Sequence, residues 1–405
     1  MKRLRAVNKT GAWKLSCIDD KIKYIRLPKT SHMALSKRFV ALDVFRGMTV
    51  CFMIIVNTPG NGATSWSPLN HAAWHGFTPT DLVFPSFLFA VGNAISFVMA
   101  KWQQQSQAQV LWKIFKRTFI IFLLGFLMYW FPFFREDDNG HWALAPFSDT
   151  RVMGVLQRIA LCYGIGSLLV YYLKPRTAVW ICIGLLFLYW GLLYWFGDPG
   201  AELTMAGNAG RRFDIWLMGY KHMYHHDKIV FDPEGWLSTL PAVGNVVAGY
   251  VVGRFVQGKG KTYEGLTRLL LAGVSLMAIA YFWDLVLPIN KKLWTSSFVV
   301  YTVGLDCVIL AAVIYVIEFL QKTKWTYFFE VFGRNTLFIY LLSELLVTVL
   351  FMIPAEDDSL FRWIYHHIFQ WSGDYLGSFL FAVAYMMVCW TVGYILDKRK
   401  IYIRV

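Results

Sequence analysis

The chain has 405 residues, 57% of them hydrophobic and 18% aromatic, with a mean hydropathy of +0.45. A soluble globule cannot bury that much apolar surface behind a shell in which only 16% of residues are charged. The net charge of +14 does not point to nucleic acid either, because the basic residues form short clusters between apolar runs rather than one stripe.

Residues 1–37 read as a basic cytoplasmic extension without the small-residue cleavage site of a removable signal. From Met33 the sequence is an ordinary lead-in to a first helix. Apolar runs then recur at 40–58, 81–100, 118–133, 152–172, 178–196, 237–256, 269–287, 296–319, 329–353 and 376–396. Most approach the roughly 20 residues that the hydrocarbon core demands of a helix. Their connecting segments alternate in basic content, the N-terminal set holding 27 Lys and Arg and the intervening set 9. Such an excess marks the cytoplasmic side. The fold class is therefore all-α: a polytopic membrane helix bundle of about ten transmembrane helices with both termini cytoplasmic. Residues 38–405 form one transmembrane domain, with the bilayer of a cell inner membrane as its setting.

An ionisable residue at membrane depth is costly and marks a function or a buried pair. Four segments on the non-cytoplasmic side are rich in polar residues. These are Asn57 to Asp81 with His71, Trp74 and His75; Arg151 with Gln157 and Arg158; Phe231 to Trp236 with Asp232 and Glu234; and Pro288 to Ser297 with Asn290, Lys291 and Trp294. Each has a plain alternative. Asp232 reads either as a helix cap ahead of Pro233 or as a site residue, and Asp81 either as a cap or as a member of a site. Lys291 and Lys292 could equally anchor the interface, and a lone histidine such as His71 is more often solvated than catalytic.

On the inner face Asp43 and Arg46 share one side of the first helix. Arg334 and Asn335 open the ninth run, and with Lys116 and Arg117 they suit an anionic nucleotide, the arginines being well matched to phosphate. Glu344 sits mid-span and needs a partner. His222, His225, His226 and Asp227 lack the helical pairing or adjacent Cys or Glu of a zinc site and read as surface histidines. Five of the six cysteines fall in apolar runs without CxxC or CxxH spacing, so no disulfide framework and no metal site is expected.

Six ordered motifs carry a resemblance: RFVALDVFRGMTV (38–50), HAAWHGFTPTDLVFPSFLFAVG (71–92), RVMGVLQRIALCY (151–163), FDPEGWLSTLPA (231–242), PINKKLWTSSFV (288–299) and GRNTLFIYLLSE (333–344). On them the sequence resembles a bacterial relative of the lysosomal heparan-α-glucosaminide N-acetyltransferase family. The resemblance implies acetyl transfer from cytosolic acetyl-CoA to the amine of a terminal glucosamine across the membrane. It implies an active-site histidine at His71, with Asn57 and Asp81 beside it, and a homodimer. The stretch between Asn57 and His71 is a few residues longer than in the lysosomal protein.

The chemistry suits those residues, because aminolysis of a thioester needs a base, and an oxyanion must be stabilised. His71 would be that base or the acetyl carrier, Asp81 its orienting partner and Asn57 the oxyanion donor. Arg46, Arg117, Gln157, Arg158, Arg334 and Asn335 are assigned to acetyl-CoA. Trp74, Asp232, Glu234, Asn290, Lys291, Trp294 and Glu344 are assigned to the amino sugar. Rival readings are a polysaccharide O-acyltransferase and a secondary transporter, although no inverted repeat is evident between the halves.

Overall fold

The computed structural model describes residues 39–136, 141–226, 229–356 and 358–403. The basic extension expected at 1–37 lies outside the described residues, as does Asp227 of the histidine-rich loop.

Eight helices among the described residues are long and apolar enough to cross a membrane. They are α1 (Val40–Asn57), α2 (Val83–Trp102, with the tight turn Pro79–Leu82 leading into it), α4 (Val155–Tyr172), α5 (Pro175–Phe196), α7 (Thr239–Lys259), α8 (Tyr263–Asp284), α9 (Ser296–Ile314, prolonged by a π turn to Phe319) and α13 (Asp374–Lys398). Between them stand α3 (Gln107–Trp130), the short α6 (Ala209–Met218), α10 (Thr326–Arg334), α11 (Thr336–Met352) and α12 (Leu360–Ile364). Three small antiparallel hairpins decorate the loops: β1–β2 (Phe134–Glu136 with Trp142–Leu144), β3–β4 (His225–His226 with Ile229–Val230) and β5–β6 (Pro354–Ala355 with Asp358–Ser359).

Two expected spans look different in the structure. The run expected at 329–353 as one helix is two, α10 and α11, bent by 82°. Asn335 stands at the break with φ −124° and ψ 40°. Its side chain donates to the Ile401 carbonyl at 3.0 Å and accepts from the Ile403 amide at 2.9 Å, so it ties the chain end instead of propagating a helix. The run at 118–133 falls on α3, a 24-residue helix whose first half carries Lys113, Lys116 and Arg117. The described residues thus hold eight spanning helices, or nine when the bent pair counts as one.

Local chemistry sets the helix starts. Ser106 accepts a hydrogen bond from the Gln109 amide to open α3, and Thr262 accepts one from Gly265 to open α8. Pro175 occupies the first turn of α5, where its missing N–H costs nothing.

Helices α2 and α7 sit at the centre: 72% of the second span and 67% of the α7 span are buried, against 22% for α5 and 28% for α8. The outer helices turn Trp180, Trp195, Tyr281 and Phe282 outward, where acyl chains can cover them. The central pair approach at glycines. A Cβ at Gly92 would lie 1.9 Å from the Val246 carbonyl oxygen, and one at Gly249 would lie 2.0 Å from that of Phe89. Small residues let membrane helices touch backbone to backbone, and a rigid carbonyl cannot step aside. Gly249→Val is therefore expected to destabilise the bundle by about 1–3 kcal/mol or more, read as a lowered unfolding temperature in detergent.

Candidate active site

The site is built where the loop before α2 meets the loops before α4, α7 and α9. Thr78 and Asp81 form a reciprocal cap on the turn into α2, with Pro79 in its first position. One Asp81 oxygen, Oδ2, accepts from the Thr78 amide at 3.0 Å, the Thr78 hydroxyl at 3.1 Å and the Ala72 amide at 3.1 Å. Its other oxygen, Oδ1, lies 2.7 Å from His71 Nδ1. Asp81 thus caps the turn with one oxygen and contacts the imidazole with the other. Because an ionised carboxylate only accepts, it keeps the proton on Nδ1 and leaves the basic lone pair on Nε2.

Lys291 reaches over from the loop before α9, its Nζ 3.1 Å from both ring nitrogens of His71. Partial burial pushes the His71 pKa below its ordinary value; the Asp81 carboxylate pulls it back and the Lys291 ammonium adds to the downward push. Burial likewise lowers the pKa of Lys291, against the pull of Glu234 and Asp81. The two loops are clamped together. Lys292 donates to the Ala73 carbonyl at 2.9 Å, the Gly76 amide donates to Ile289 at 2.8 Å, and Asn290 lies 3.3 Å from His75. Gly76 has φ +108°, a conformation that favours glycine. Trp74 donates its indole N–H to the Leu203 carbonyl at 2.8 Å.

Beside this pair lies a buried ionic knot. Arg151 makes two bonds to Asp232, at 3.0 and 2.7 Å, and one to Glu234 at 2.7 Å, with its guanidinium over the rings of Tyr129 and Tyr224 at 4.9 and 4.8 Å. Burial would raise the pKa of Glu234, yet Arg151, Arg158 and Lys291 together hold it below the usual carboxylate range. Arg158, fully buried, donates to the Gly235 carbonyl and the Ser238 hydroxyl and lies 4.8 Å over the Trp294 ring. Trp294 in turn donates to Asn245.

The sequence-derived residues divide clearly. His71, Asp81, Trp74, Asp232, Glu234, Asn290, Lys291 and Trp294 gather at this end of the bundle. Asn57, at the end of α1, donates to Glu344 of α11 at 3.3 Å, which gives that mid-span carboxylate its partner. Tyr129 lies within electrostatic reach of both Glu344 and Glu234, so this pair borders the same region. The six residues assigned to the acetyl donor are not together. Arg46 pairs with Asp43 at 2.5 Å, and Arg334 bridges Asp397 and Glu330 at 2.6 and 2.7 Å, both at the far end of α1. Arg117 lies 4.8 Å over the Tyr163 ring on the lower part of α3. Gln157 and Arg158 are at the His71 end. Gln157 is buried, and among the described residues neither its carbonyl oxygen nor its amide nitrogen has a partner; Asn93 on α2 is in the same condition.

Sequence reasoning missed Tyr129, Thr78, Ser238 and Asn245, ordinary residues whose part is visible only across helices. It missed Asp214 too, whose carboxyl, pushed up to about 7 by burial, accepts from the Trp236 amide at 2.9 Å. Among the described residues no group of three His, Cys, Asp or Glu is placed to hold a metal; His222 instead lies 2.8 Å from the Thr150 carbonyl.

Compared with curated proteins, the chain is 26% identical to the human heparan-alpha-glucosaminide N-acetyltransferase over 428 aligned residues, covering 91% of this chain and 60% of that protein. It is 27% identical to the mouse protein of the same name over 369 residues, covering 77% and 54%. The chain is a distant relative of these acetyltransferases. It spans little more than half the length of the two it matches. No protein-family model matches it. Those relatives are named for N-acetyl transfer to a glucosaminide.

Proposed function

We propose that this chain is a membrane-embedded acetyltransferase that moves acetyl from acetyl-CoA to the amine of a glucosamine-type sugar, with His71 as its base. The observation that carries the reading is the His71–Asp81 contact of 2.7 Å, in a loop that Lys292 and Asn290 tie to the segment before α9. Asp81 orients the ring, and Nε2 takes the proton that the attacking amine gives up as its nitrogen bonds the acetyl carbon and the carbon–sulfur bond breaks. The same Nε2–H then returns that proton to the departing thiolate. Lys291, with its ammonium beside the ring, and Asn57, through its second amide N–H, stabilise the negative charge that grows on the carbonyl oxygen. In a relay variant Nε2 itself accepts the acetyl group, and exchange between acetyl-CoA and free CoA without any acceptor distinguishes the two.

Gln157 and Asn93 would hold the two amides of the pantetheine arm, and Arg46, Arg117 and Arg334 would form the basic end nearest the nucleotide. The topology belongs to the proposal as well. Ten spans, counting α3 and the bent pair, put both termini and the basic clusters in the cytoplasm and His71 on the periplasmic face of a cell inner membrane. A homodimer completes the reading.

Asp81→Asn tests the base–orienter pair. An amide cannot both cap the turn and hold the imidazole in one tautomer, so kcat should fall by about 10²–10⁴-fold with both KM values nearly unchanged. Full turnover in a folded Asp81→Asn protein contradicts the mechanism.

A further inference from the structure

A cavity of about 480 Å³ opens between the turn after α1 and the α11–α12 hairpin. We propose that it is the acceptor subsite, seating the terminal ring of an amino sugar; this rests on the acetyltransferase reading above. Its volume is that of an ordinary small-ligand site.

Its lining is of two kinds. Phe351 and Phe361 stack with ring centroids 4.3 Å apart, and because Phe361 is buried the half-exposed Phe351 ring is the one offered to a ligand. The C–H face of a pyranose covers such a ring surface. Asn57, Asn61, Asp358 and Arg362 offer donors and acceptors to ring hydroxyls. The turn is rigid where it must be. Ser378 bonds both the amide and the carbonyl of Asn61, at 3.1 and 3.0 Å, and Gly60 lets the Tyr365 ring lie against the backbone, since a Cβ there would come within 2.3 Å of it.

Charge selects the ligand. Asp358 and Arg362 pair at 3.4 Å and cancel, so the lining holds no excess cation for a nucleotide's phosphates. Asn57, in the lining, donates its amide N–H to Glu344, and its own amide oxygen is an acceptor suited to an amine N–H. A sugar seated here presents its amine toward the catalytic pair from the loop side, while the donor's arm approaches from the helix interior.

Thiol protection tests the pocket without turnover. The five described cysteines are all buried, so His366→Cys in a Cys17→Ser background places one accessible thiol on the cavity rim. In the full chain in detergent, glucosamine should slow maleimide labelling of that thiol several-fold, and acetyl-CoA should leave the rate unchanged. Labelling indifferent to glucosamine, or slowed only by acetyl-CoA, overturns the assignment. In steady state, Asp358→Asn and Arg362→Gln should each raise the KM for glucosamine about tenfold with the KM for acetyl-CoA unaltered; an unaltered glucosamine KM also overturns it. A wild-type protein that never acetylates amino sugars defeats the acetyltransferase reading, whereas protection by glucosamine judges the pocket alone.

Discussion

Replacing His71 with alanine lowers acetyl transfer by about 10²–10⁴-fold, to the floor of the assay, while the protein stays folded. The ring is half exposed, and what it leaves behind is Asp81, whose Oδ2 is already satisfied by Thr78 and Ala72. The turn into α2 therefore survives, and unfolding temperature in detergent should shift little. The pH profile carries a second signature. His71 titrates below its ordinary value of about 6.5. The wild-type acid limb, where the base becomes protonated and rate falls as pH drops, should accordingly lie under that value and be absent from residual activity of the variant. A fall in unfolding temperature as large as that of a core mutant would instead make His71 a structural residue.

The second large effect is on stability. Arg151→Met leaves Asp232 and Glu234 buried without the guanidinium that binds both. Removing one partner of a buried ionic cluster costs about 3–5 kcal/mol, because the remaining charges must be neutralised or hydrated in place. Arg151→Lys should recover little, since a single ammonium cannot make the forked contact to Asp232 and reach Glu234 at the same time. Adding Asp232→Asn and Glu234→Gln to Arg151→Met should restore much of the loss by removing the stranded charges. Thermal unfolding of the detergent-solubilised series checks the order: wild type, then the triple variant, then Arg151→Met.

Hydropathy made most of the bundle legible, because the demand for an unbroken apolar run acts along the chain. The eight clear spans lie where those runs lie. The same logic failed at Asn335, where the run stays apolar while one amide turns away to bind Ile401 and Ile403; nothing local announces that choice. In α3 the cations at 113, 116 and 117 obscure how much of the helix is in lipid. The site was readable as a set of polar residues at one face, yet not as a geometry. Arg151 and Asp232 are 81 positions apart, and Asn57 and Glu344 are 287 apart, so their pairing is a property of packing. Asp81 offered two roles from sequence and fills both as geometry. Arg334, grouped with the other arginines by phosphate affinity, has carboxylate partners in Glu330 and Asp397 that no local sequence pattern announced.

Acetyl made available on one side of the membrane should end on an amine at the other, through His71. Sealed vesicles of known orientation, with labelled acetyl-CoA confined to the face of the basic clusters and glucosamine to the opposite face, test it most directly. The account predicts N-acetylglucosamine on the glucosamine side, lost in the His71→Ala protein. Product formed only when both reactants share the face of the basic clusters would contradict it.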